Sequence, residues 1–160
     1  MTWWKKLLAG GAAADDVDYY REGLELLKVG KYHEALTSFR LAQRDTPNDT
    51  AVMQQMAITY TRIGMTEEAA KTYRGVLARD PRAPGAHYGL AFLLLAEGRK
   101  DEAVPHLQAF LEQPPQGPEA ERHIRHAEET LGRLSDGGDS DGGERSSPAS
   151  PSLGRPLGDA

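Results

Sequence analysis

Residues 30–49 read GKYHEALTSFRLAQRDTPND, residues 64–83 read GMTEEAAKTYRGVLARDPRA, and residues 98–117 read GRKDEAVPHLQAFLEQPPQG. Laid over one another, the three stretches agree at a step of 34 residues: Gly30, Gly64 and Gly98; Glu34, Glu68 and Glu102; Ala35, Ala69 and Ala103. Pro47 and Pro81 obey the same step and Pro115 continues it. Phe39, Tyr73 and Leu107 put a large apolar residue in one shared slot. Independent positions that recur three times mark an internal repeat, and a period in this range points to stacked supersecondary units.

Working outward, each unit reads as two helices. Tyr19, Glu22, Gly23, Leu26 and Leu27 follow helical spacing up to Gly30, which suits a C-terminal cap because it takes positive φ without steric cost. Ala35, Leu36, Phe39 and Ala42 give the second stripe, and Thr46-Pro47-Asn48-Asp49 ends it. The second unit has Met53, Met56, Ala57 and Tyr60, then Ala69, Tyr73 and Val76. The third has Leu90, Ala91 and Leu94, then Ala103, Leu107 and Phe110. Gly23, Ala57 and Ala91 share a slot on the first helices, and small residues there let two helix axes approach closely. Gly75 sits inside a helix at a cost of ~1 kcal/mol relative to Ala. Pro105 is read as lying near the start of its helix, where a missing N–H matters little.

The pattern resembles the tetratricopeptide repeat over residues 16–117. The resemblance rests on the period, the small residues Gly23, Ala57 and Ala91, the Gly-x-x-x-Glu-Ala runs and the closing prolines. Met53 and His87 are less typical of their slot than Tyr19. The resemblance implies an all-α, right-handed α-solenoid with repeats at 16–49, 50–83 and 84–117. A further helix is expected at 118–134: Pro118 suits a first helical position, and Ala120, Ile124, Ala127, Leu131 and Leu134 give one apolar face. Its other face is charged, as a solenoid cap requires.

Composition narrows the function. The chain has 160 residues, no cysteine and a net charge of −5. Disulfide frameworks, Cys-zinc sites and thiol nucleophiles are excluded. With no basic stripe to neutralise phosphates, nucleic-acid binding is not expected. No phosphate loop or nucleophile elbow occurs. His123 and His126 stand three residues apart on the cap helix without a third ligand, and we expect them on a solvated face. The paired carboxylates Glu67-Glu68, Asp101-Glu102 and Glu128-Glu129 point ~100° apart on a helix. No enzyme, metal or cofactor is expected.

In the family the first helices line a concave groove. Carried onto this chain, the groove takes Tyr20, Arg21, Leu24 and Lys28 from the first repeat, Gln54, Ile58 and Arg62 from the second, and Tyr88 and Phe92 from the third. Two rows run along it: Tyr20, Gln54, Tyr88 and Leu24, Ile58, Phe92. The carboxylate clamp of one subfamily is not supported, because the corresponding slots are mostly apolar. The expected function is a non-catalytic protein–protein interaction module, an adaptor or assembly factor holding a peptide with an apolar or aromatic anchor and some acidic character. The alternative is a self-assembling scaffold, attached to a membrane surface through the leader.

The two ends differ from the middle. In residues 1–15, Trp3, Trp4, Leu7 and Leu8 occupy an arc of ~140° on a helix, with Lys5 and Lys6 opposite. That is the pattern of a short interfacial anchor. A weak secretory signal, a disordered leader and a staple folding onto the solenoid are the other readings. Residues 135–160 are Gly, Ser and Pro at 15 of 26 positions and carry five acids against two arginines. Such a segment buries too little to offset its ordering entropy and is expected to be a disordered acidic tail. The expected location is cytoplasmic, or peripheral at the inner face of a membrane.

Overall fold

Gly30, Gly64 and Gly98 close the first helix of each repeat in the same way. Their φ angles are 79°, 88° and 76°, the left-handed region that only glycine enters cheaply. Around them Lys31 N–H donates to the Leu26 carbonyl, Met65 N–H to that of Tyr60, and Arg99 N–H to that of Leu94, each at 2.9 Å. This 6→1 bond satisfies a helix-end carbonyl and turns the chain back on itself. One turn type, used three times at a fixed step, sets up three similar helix hairpins.

A computed structural model describes residues 17–137 as seven helices. They are α1 (Tyr19–Lys28), α2 (Tyr32–Asp45), α3 (Thr50–Ile63), α4 (Thr66–Arg79), α5 (Pro84–Ala96), α6 (Lys100–Glu112) and α7 (Pro118–Asp136). The leader and residues 138–160, with the expectations placed on them, lie outside the described residues. Each helix packs mainly on its sequence neighbours, and the first helices α1, α3 and α5 touch in order. That is a helical solenoid, the all-α architecture expected from the period.

Helix starts are specified locally. The Asp18 side chain accepts from Arg21 N–H at 3.0 Å, and Asp49 accepts from Ala51 N–H at 2.8 Å and Val52 N–H at 3.3 Å. Pro84 and Pro118 stand in the first turns of α5 and α7, where a missing N–H has no intrahelical partner to lose. Pro105 departs from expectation. It is the sixth residue of α6, past the first turn, so the Asp101 carbonyl loses its helical partner there.

The core runs as one strip between the two helix layers. Phe39, Leu90, Leu94, Leu107 and Phe110 are its largest enclosed side chains, and Ala35, Ala57, Ala69, Ala91 and Ala103 are completely buried. A β-carbon added at Gly23 would stand 2.5 Å from the Phe39 ring, so the small slot is required by α1–α2 packing. Leu27 and Leu95, on the groove-facing helices, pack partly against this core.

Candidate functional site

A cleft of about 650 Å³ lies between α3, α5 and the helices behind and beyond them. From α3 come Gln54, Ile58, Thr61 and Arg62, and from α5 come Gly85, Tyr88, Gly89, Phe92, Leu93 and Ala96. Thr66 and Tyr73 of α4, Phe110 of α6, Pro115 and His123 of α7 complete the wall. Its size lies within the ~300–1,000 Å³ of ordinary ligand pockets.

Five of the nine residues carried over from the family line this cleft: Gln54, Ile58, Arg62, Tyr88 and Phe92. The four from α1 do not. Tyr20 stacks at a tilt on Phe39, with ring centroids 6.0 Å apart, and borders a separate hollow of about 250 Å³ with Asp49 and Val52. Leu24 is half-buried against the core. Arg21 is exposed, and Lys28 is exposed and paired with Glu25 at 2.8 Å. Trp3, Trp4, Lys5 and Lys6 lie outside the described residues.

Several wall residues are absent from that reading. Tyr73 belongs to the stripe of a second helix and was expected in the core. It is 3% exposed, yet its ring end reaches the cleft because α5 carries glycine at the facing position. A β-carbon on Gly89 would stand 2.3 Å from the Tyr73 ring, and one on Gly85 would stand 2.6 Å from the Gln54 amide. Two glycines one turn apart on α5 are thus the sequence signal that Tyr73 and Gln54 extend across that helix.

The cap helix also enters the site. His126 Nδ1 lies 2.7 Å from the Tyr88 hydroxyl, and its ring stacks on Phe92 at 4.4 Å with 9° between the planes. His123 meets Tyr88 edge-on at 4.9 Å. Both histidines are exposed as residues, but the face they share packs on the groove aromatics and is not merely solvated. Tyr88 further contacts Phe92 at 4.6 Å and Phe110 at 5.1 Å, closing an aromatic cluster.

The electrostatics are one-sided. Among the described residues, Arg62 and His123 are in the wall and no carboxylate is. Arg62 is exposed and makes no ion pair among the described residues. Burial pushes the hydroxyls of Tyr73 and Tyr88 above the usual phenol range, so both stay protonated donors at neutral pH. Among the described residues no three metal-ligating side chains converge. His87 and His106 form a pair, with Nδ1 atoms 2.9 Å apart and His87 Nε2 2.8 Å from the Pro81 carbonyl. A carbonyl only accepts, so His87 donates to it from Nε2. No described helix is long and apolar enough to cross a membrane.

Residues 55–118 match the family model described as tetratricopeptide repeat. The photosystem I assembly protein Ycf3 of Parasynechococcus marenigrum is 35% identical over 95 residues, covering 53% of this chain and 55% of that protein. The chain spans about half the length of the first such relatives it matches. The aspartyl/asparaginyl beta-hydroxylase of Homo sapiens is 33% identical over 101 residues, covering 62% of this chain but 13% of that enzyme. Among solved structures, the Yersinia enterocolitica type III secretion chaperone SycD in complex with a peptide of the translocator YopD superposes with a TM-score of 0.69 at 19% identity, covering 75% of this chain and 92% of that one.

Proposed function

We propose that this chain, which belongs to the tetratricopeptide-repeat family, is a non-catalytic adaptor or assembly factor that holds a peptide segment of a partner protein in the α3–α5 cleft. The observation that carries the reading is the cleft itself: the rings of Tyr73, Tyr88, Phe92 and Phe110 and the Ile58 side chain around Arg62, which among the described residues has no ion-pair partner and no carboxylate beside it in the wall. An aromatic or aliphatic anchor on the partner fills the apolar part, and an acidic group beside it pairs with Arg62. Large rigid rings make strong contacts at small entropic cost. A charge-assisted bond to an arginine adds direction and register.

Two likenesses support the reading. Ycf3 is named for assembly of a larger complex. SycD, which shares the fold, is a chaperone holding a YopD peptide. The hydroxylase likeness covers so small a part of that enzyme that it supports no catalytic role here.

A displayed library of random peptides, selected on the full chain, tests the proposal. Selected sequences are expected to share an apolar anchor with a nearby Asp or Glu. Ile58→Asp is expected to abolish their binding, and Arg62→Ala to weaken it ~10-fold, the ~1.5–3 kcal/mol of a hydrogen bond to a charged group being only partly replaced by water. Selection of basic peptides, or binding indifferent to Ile58→Asp, would overturn it.

A further inference from the structure

Tyr88 and Phe92 belong to two assemblies at once. Both line the cleft, where His123 of α7 joins them in the wall. Both also hold α7: His126 Nδ1 lies 2.7 Å from the Tyr88 hydroxyl, and the His126 ring stacks on Phe92 at 4.4 Å. His126 itself is not part of the wall. We propose that α7 is a movable jaw of the cleft: a peptide bound there touches His123, selects the docked position of α7 and holds it, with the Tyr88–His126 contact as the latch. It rests on the cleft being the binding site.

The jaw is held lightly. The buried residues of α7 are Ala120, Ala127 and Thr130, all small, whereas α5 buries Leu90, Leu93 and Leu94. Ile124, Leu131 and Leu134 are only half-buried. Apolar stabilisation scales with the area removed from water, so α7 gains less per turn than α5. Apart from the contact with Tyr88, no side-chain hydrogen bond or ion pair ties α7 to another helix among the described residues. Elements with few buried apolar contacts open at a lower free energy than the whole domain.

The joint before α7 is open. Between α2 and α3, Asp49 N–H donates to the Thr46 carbonyl at 3.2 Å, and between α4 and α5, Ala83 N–H donates to the Asp80 carbonyl at 3.2 Å. The same step of 34 brings Gly117 and Pro114 to these places between α6 and α7, and no such bond closes that turn. Gly117 takes φ 113° and ψ 169°, a region that only glycine enters freely. No atom lies within 4 Å of a β-carbon placed on it. The pivot is therefore a backbone position that neither a turn bond nor packing fixes.

The placing of the two histidines gives the motion its direction. The latch ring stands outside the wall and His123 stands within it, so a ligand and the latch do not compete. A peptide in the cleft touches α3, α5 and α7 together. It binds the docked form more tightly than a form that has lost this wall, and by linkage it favours docking by the same factor. The latch in turn sets the affinity, because only the docked fraction of the chain offers the complete site. His126 is thus a positioning residue: it acts on the peptide through Tyr88, Phe92 and the place of His123. A cover that a peptide displaces would have the opposite arrangement, with the stacked ring inside the cleft.

Hydrogen exchange on the full chain, free and saturated with a peptide from the selection above, tests the jaw. In the free chain the amides of α7 are expected to exchange faster than those of α5 and α6. Saturation is expected to slow α7 ~5-fold or more and to leave α1, which lines no part of the cleft, unchanged. His126→Ala should weaken the peptide ~5-fold or more, and the protection that the peptide gives α7 should fall with it. Circular dichroism and the exchange of α1 to α4 should stay at parent values. His126→Phe keeps a ring for the stack on Phe92 and should recover part of the affinity. Exchange in α7 that quickens when the peptide binds overturns the proposal, since α7 is then a cover that the peptide removes. Exchange that the peptide leaves unchanged, or a His126→Ala chain that binds as tightly as the parent, also overturns it and makes α7 a fixed cap. In each case binding that still depends on Ile58 leaves the cleft reading standing. A selection that yields no peptide, or binding indifferent to Ile58→Asp, removes the cleft reading and the jaw with it.

Discussion

Tyr20 and Tyr88 occupy the same slot of the repeat, two repeats apart, and their surroundings have little in common. Among the described residues Tyr20 has one aromatic neighbour, Phe39, and the residues beside it in the slot pattern are Arg21 and Leu24. Tyr88 has Phe92, Phe110, His123 and His126 around it, and its slot neighbours are Gly89 and Phe92. The repeat fixes the direction in which a side chain points. What it meets there depends on the next helices along, and the third repeat is followed by α7 with two histidines on its inner face. The third-repeat end of the solenoid therefore builds a cleft, and the first-repeat end builds a shallow hollow of about 250 Å³.

The strongest way to break this contrast is at the slot shared by Arg21 and Gly89. Gly89→Ala places a β-carbon 2.3 Å from the Tyr73 ring, which must then swing its end into the cleft and give up its packing against α5. Overpacking of this kind costs ~1–3 kcal/mol, and urea denaturation should show a loss in that range. Arg21→Ala, at the equivalent exposed position, should stay within ~0.5 kcal/mol of the parent. Equal effects would mean that the two ends are packed alike.

A smaller contrast lies in the hydroxyls of the two tyrosines. Tyr88→Phe removes the contact at 2.7 Å to His126 and should cost ~0.5–1.5 kcal/mol, with weaker docking of α7 on α5. Hydrogen exchange along α7 would report that loosening directly. The Tyr20 hydroxyl has no hydrogen bond among the described residues, and Tyr20→Phe should leave exchange in α1 and α2 unchanged. A loss at Tyr20 as large as that at Tyr88 would sink the comparison.

Much of the fold was legible because its signals are local. Glycine at positive φ and the alanines of the helix–helix seams each act within one turn or one hairpin, and each recurs. The cleft was half legible. Gln54, Ile58, Tyr88 and Phe92 follow from the two rows, and Arg62 from the same groove-facing side of its helix, since these only need helical direction. Tyr73 and Phe110 did not, because both belong to second-helix stripes that elsewhere are pure core; Tyr73 lines the cleft where Gly89 thins α5, and Phe110 lines it beside Tyr88. His123 and His126 were hidden for a different reason. Their place depends on how α7 lies across α5, and no spacing within α7 encodes that. Pro105 shows the limit of a local rule, since one residue's error in a helix start changes whether its missing N–H matters.

The smallest effect concerns the His87–His106 pair, which joins α5 to α6 just outside the cleft. Partial burial holds the His106 imidazolium below the usual histidine range, and repulsion from His87 and Arg74 acts in the same sense; Glu102 acts weakly against them. Because the folded pKa is depressed, the unfolded chain binds a proton at this position before the folded chain does. Stability from this group is therefore complete above the ordinary histidine pKa of ~6.5 and falls as pH drops from there toward the lowered folded value. Below that value it changes no further. The sign is opposite to that of a histidine gaining an acidic partner. His106→Gln should flatten this part of the pH–stability curve. A His106→Gln curve as steep as the parent's just below pH ~6.5 would assign the acid sensitivity to another group.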